Sequence, residues 1–68
     1  MRNIGSIWTD TERMVVARGI ADNALYRYRE GRPLSLNEIL DCFERVDIVL
    51  SQPTAFLEAN RDRLLKDL

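Results

Sequence analysis

The stretch Glu30-Gly31-Arg32-Pro33-Leu34-Ser35-Leu36-Asn37-Glu38 constrains this chain more than any other. Gly31 can take the left-handed conformation that closes a helix, and Pro33 cannot continue one. Ser35 and Glu38 then stand at the spacing of a capping box, in which the hydroxyl accepts a backbone N–H and the glutamate reaches back to the serine N–H. Leu34 and Ile39 flank the box at the positions of a hydrophobic staple. One helix must end and another begin within a few residues, and so short a connection makes the two antiparallel neighbours.

Similar punctuation sets the remaining boundaries. Thr9 and Glu12 form a second capping-box pattern, and Asp10 and Glu12 place negative charge where the helix dipole favours it. The first helix is thus expected over residues 10–30 and the second over 36–50. Ser51-Gln52-Pro53-Thr54 interrupts the second, and proline suits the first turn of a new helix. A third helix is expected over 54–66, the alternative being one long helix kinked at Pro53. Residues 1–8 alternate only weakly and read as an arm that docks Ile4, Ile7 and Trp8. The expected fold is all-α: one domain over residues 9–68, built as an antiparallel helical hairpin plus a shorter third helix.

At 100° per residue, the first helix gathers Met14, Ala17, Ala21, Ala24, Leu25 and Tyr28 on one arc. Val15, Val16 and Ile20 fall outside it, and Gly19 lies off it with no packing role evident. The second helix gathers Leu36, Ile39, Leu40, Phe43, Val46 and Leu50, with Ile48 and Val49 pointing elsewhere. These two arcs are expected to form the core. Asp47 breaks the pattern by falling inside the second arc; it is either solvated near the helix end or paired with an arginine of the first helix. Phe56, Leu57, Leu64, Leu65 and Leu68 form a broad third stripe, interrupted by Asn60 and Arg61. More apolar helix surface is present than one small core requires, which argues for association.

Composition points the same way. A chain of 68 residues has a core that rarely supplies more than about 3–5 kcal/mol unaided. Cys42 is the only cysteine and histidine is absent, so no internal disulfide, Cys/His zinc site or His-dependent triad can form. A second copy or another protein is then the most economical stabiliser, and self-association is expected. Ten basic residues face eleven acidic ones, which disfavours indiscriminate polyanion binding. No apolar run approaches the roughly 18 residues of a membrane span, and the N-terminal residues lack the continuous apolar region of a signal peptide. A cytoplasmic location is expected.

Little here could do catalysis. Glu38, Asp41 and Glu44 recur every third residue, but such acids on an amphipathic helix form a solvated face, and no loop supplies further oxygen ligands for a metal. Cys42, at the flank of the arc, reads as an inert thiol. No cofactor is expected, and the chain does not read as an enzyme.

Tyr26-Arg27-Tyr28-Arg29-Glu30-Gly31-Arg32 is the most distinctive segment. Arginines beside aromatics can stack on bases and pair with phosphates. Tyr28 belongs to the core arc, so Tyr26, Arg27 and Arg32 are the better contact candidates. Arginines near a helix C-terminus also favour the dipole with no ligand at all. The stretch Thr11 to Glu30 loosely resembles the helix-turn-helix pattern, with Gly19 as the turn glycine and Met14, Ile20, Leu25 and Tyr28 at apolar positions. Val15 and Arg18 depart from it, standing where a small and an apolar residue are usual. That resemblance implies Asp22, Asn23, Tyr26 and Arg27 on a recognition helix in a DNA groove.

The function expected from the residues is a small protein–protein interaction module, oligomeric, serving an accessory or regulatory role on a larger protein or assembly. Its contact candidates are Val16, Ile20, Tyr26, Arg27, Arg32 and Asp47. The DNA-binding regulator is the alternative, and it turns on whether Gly19 lies within a helix or in a turn.

Overall fold

The computed structural model describes residues 8–68. Among them the chain is all-helical: α1 (Asp10–Arg29), α2 (Leu36–Ser51), α3 (Thr54–Ala59) and α4 (Arg61–Leu64). The two long helices pack against each other as the hairpin that the Gly31–Glu38 stretch dictates. Gly31 has a φ of +81°. Its N–H donates to Tyr28 O and that of Arg32 to Arg27 O, the paired bonds of a Schellman closure. The capping box at Ser35 is complete in both directions. At Thr9 only its first half forms, with Glu12 N–H donating to the hydroxyl at 3.2 Å. Ile4 and Ile7 lie outside the described residues, whereas Trp8 is buried and its indole N–H donates to Glu58.

Pro53 ends the long hairpin arm and caps the next helix, as its missing donor requires. The third helix expected over 54–66 is instead two short ones. At Asn60 the backbone leaves helical geometry (φ −113°, ψ 21°), and Asn60 Nδ2 donates back to Phe56 O at 2.9 Å. Such side-chain competition for a backbone carbonyl is why asparagine weakens helix interiors.

Of the two expected arcs only Ala17 is buried; the core otherwise lies on a different side of the hairpin from the one the arcs indicate. Buried are Trp8, Ala17, Ile20, Val49, Leu57 and Leu64. Ile20 and Val49, outside the expected arcs, are at most 1% exposed, while Tyr28, expected inside, is 73% exposed. The reason is physical. Both helices are apolar on two adjoining sides, and α3 and α4 cover the side that carries Ile20 and Val49 with Leu57 and Leu64. Each fully buried aliphatic side chain contributes about 1.5–3 kcal/mol, and among the described residues only four side chains reach that state.

Two arginines fasten this layer. Arg13 reaches from α1 to the end of α2, donating to Val49 O at 3.1 Å, to Gln52 O at 2.5 Å and to Trp8 O at 3.2 Å. Arg45, 5% exposed, donates to Lys66 O at 3.3 Å and Arg63 O at 3.5 Å. Its Nε lies 3.0 Å from Asp41 Oδ2, although too poorly aligned for a hydrogen bond. Each guanidinium thereby satisfies carbonyls that a helix end leaves orphaned, at the pole where the dipole favours a cation.

α1 runs unbroken through Gly19. The turn that the helix-turn-helix parse of Thr11–Glu30 needs is absent, so Asp22, Asn23, Tyr26 and Arg27 do not sit on a separate recognition helix. Gly19 also has the packing role its position off the arc concealed: a Cβ there would stand 3.2 Å from Leu68 Cδ2.

Candidate functional site

Apart from Ala17, which is buried in the core, and Val46, which packs against it, the expected arcs form a surface instead. On α1, Met14, Ala17, Ala21, Ala24 and Tyr28 recur at alternating steps of three and four; on α2, Leu36, Ile39, Phe43, Val46 and Leu50 do the same. This 3.5-residue repeat is the spacing with which a helix keeps one seam turned to a neighbour. Because the hairpin lays both seams on its uncovered side, they make one continuous apolar face. Between them runs a shallow groove lined by Ala21, Ala24, Leu25, Tyr28, Leu34, Ile39, Cys42, Phe43 and Val46. The alanines keep α1 low there, and the staple residues Leu34 and Ile39 close one end. Leu36 and Phe43, both about two-thirds exposed, rise from the α2 side.

At the loop end of the hairpin this face meets a latch. Arg27 Nη2 donates to Glu38 Oε2 at 2.8 Å, and Glu38 Oε1 accepts the Ser35 N–H at 2.9 Å. The Arg27 guanidinium, followed by the Ser35 N–H, holds the Glu38 carboxyl down to about 2, and Glu38 in turn raises Arg27. Behind the hairpin, Arg63 bridges Asp41 at 2.9 Å and Glu44 at 2.7 Å. The Arg63 hydrogen bond is the main reason Asp41 lies below the usual carboxylate range. Glu38, Asp41 and Glu44 are therefore bound up in ion pairs rather than free to ligate. Among the described residues no cluster has the composition of a metal site.

The residues singled out from sequence fall in several places. Ile20 is core, and no partner can reach it; Val16 is half-buried and packs on the same core. Arg27 is committed to Glu38. Tyr26 and Arg32 are exposed beside a polar recess shared with Asn23 and Asp67, where Asn23 Nδ2 donates to Asp67 O at 3.2 Å. Asp22 pairs with Arg18 at 3.5 Å, an exposed contact one helical turn apart. Asp47 is exposed on α2 and, among the described residues, pairs with no cation. Of the two readings for Asp47 the solvated one holds, and the ion pair with an arginine of the first helix does not form. Residue-by-residue reasoning missed the surface itself, although the 3.5-residue spacing in both helices was there to find it. No helix among the described residues is long and apolar enough to cross a membrane. The chain matches no protein-family model, no curated protein and no solved structure.

Proposed function

We propose that this chain is a non-enzymatic protein–protein interaction module that takes an apolar helical surface onto the α1–α2 face, serving as an accessory or regulatory piece of a larger assembly. One observation carries the reading. Among the described residues twelve large hydrophobic side chains are exposed, against six buried hydrophobic residues in the core, and those of the hairpin face are contiguous and lie at coiled-coil spacing rather than scattered. Isolated exposed leucines are ordinary, but a contiguous apolar face marks a contact surface.

The test is a double substitution, L36E with F43E, at positions too exposed for the monomer to need them. The expected result is that the wild-type chain sediments above its 7.9 kDa mass, alone or with a bound protein from its host. The variant should sediment at that mass with an unchanged helical circular dichroism spectrum. A wild-type chain that stays monomeric at high concentration and also in host extract would overturn the reading, as would a complex that survives the substitutions.

A further inference from the structure

Building on that reading, we infer that the occupant of the α1–α2 face is a second copy of this chain, related by a two-fold axis parallel to the helices. Each α1 then lies over the partner's α2, giving a four-helix bundle with α3 and α4 on its outer sides. Three observations converge on this arrangement.

The first is periodicity. A seam repeating every 3.5 residues is met most economically by another seam of the same repeat, and this face carries two, running antiparallel. A two-fold axis along the hairpin sets every α1 seam against an α2 seam in antiparallel fashion, repeating the contact already made within each copy. The second is size. Phe and Tyr side chains carry about 150–250 Å² each, so Phe43 and Tyr28, at 67% and 73% exposure, each still offer at least ~100 Å². Eight large apolar side chains on this face are exposed, which brings the total to the order of 600–800 Å² per copy. A stable interface covers about 800 Å² per partner.

Charge is the third and the most specific. Two charged residues rise among the apolar ones: Arg18 follows Met14 by one turn, and Asp47 follows Phe43 by one turn. The hairpin register makes them level. Arg27 meets Glu38 and Arg13 meets Gln52 O across the hairpin; both pairs of numbers sum to 65, and so do 18 and 47. Within one copy the two side chains do not touch; Arg18 meets Asp22 one turn on at 3.5 Å, an exposed pair that leaves the rest of its guanidinium open to a second carboxylate. Under the inferred two-fold axis Arg18 of each copy comes over the other copy's Asp47, so two complementary pairs form per dimer. A carboxylate on an apolar face, costly to cover without a cation, thereby finds one.

The experiment is a charge swap read by sedimentation equilibrium of the purified protein over a range of concentrations. R18D alone and D47R alone each set like charges together twice per dimer, and each should weaken self-association by on the order of tenfold or more. An equimolar mixture of the two variants should regain tight association, because an R18D copy facing a D47R copy has opposite charges at both contacts. Both positions are exposed in the monomer, so folding is preserved, and circular dichroism verifies it. If wild type self-associates but the mixture is no tighter than either variant, the inferred axis is wrong. If wild type is monomeric alone yet forms complexes with another protein that L36E and F43E abolish, the second-copy occupant is overturned and the broader module reading stands.

Discussion

At the scale of single residues, the fold depends on buried arginines as well as on its few buried aliphatic side chains. Arg45 is the most buried charge in the described chain and donates to the carbonyls of Arg63 and Lys66 near the end of α4. Its replacement by alanine takes the buried cation from those carbonyls and leaves Asp41 to Arg63 alone at close range, and R45A should lower stability by about 3 kcal/mol in urea denaturation. Set against the few kcal/mol that a chain of this size commands, a loss that large unfolds a substantial fraction of the protein. Gly19 makes an opposite case. Alanine there relieves the glycine's helix penalty of about 1 kcal/mol, and the atom it would crowd is the tip of the exposed, yielding Leu68 side chain. G19A should therefore raise the melting temperature. A fall would show that Leu68 is held more firmly than its exposure indicates.

Among the elements, boundaries were legible from sequence and orientations were not. Gly31, Ser35 and Pro53 act through their immediate neighbours, so their effect can be read from a few letters, and the ends of α1 and α2 lie within one residue of expectation. Which side of a helix is buried is decided elsewhere in the chain. Met14 and Ile20 are both apolar positions on α1, and only the arrival of Leu57 and Leu64 ranks one above the other. The break at Asn60 has a similar origin, because a lone asparagine between good helix formers gives little local warning. The latch between the two long helices carries its own prediction. Glu38 has a folded-state pKa below its unfolded value, so its contribution is complete above about pH 4.5 and vanishes as pH falls through about 2. Asp41 is shifted in the same direction. Melting temperature should drop across that acid range, and E38Q should flatten the drop while costing stability at neutral pH. An E38Q profile as steep as wild type would assign the acid sensitivity to other carboxylates.

As a whole molecule, the chain is a two-helix sheet of sorts, apolar on both faces and covered on one. The described structure spans 45 × 17 × 17 Å, with a radius of gyration of 12.9 Å, against about 11 Å for a rounded domain of this length. A rod that thin keeps few atoms away from solvent. Removing residues 53–68 takes away Leu57, Leu64 and the carbonyls that Arg45 holds, and such a truncation should lose cooperative thermal unfolding by circular dichroism. Retention of a sharp transition would mean the hairpin stabilises itself, through its apolar face or otherwise. The order of the layers along the chain has a consequence in time. Helices form in about a microsecond or less, whereas Leu57 and Leu64 must fold back across more than thirty residues of chain to reach Ile20. A newborn hairpin thus waits with both greasy sides open until its own tail arrives, and whichever surface reaches it during that wait competes with the tail for the Ile20 side.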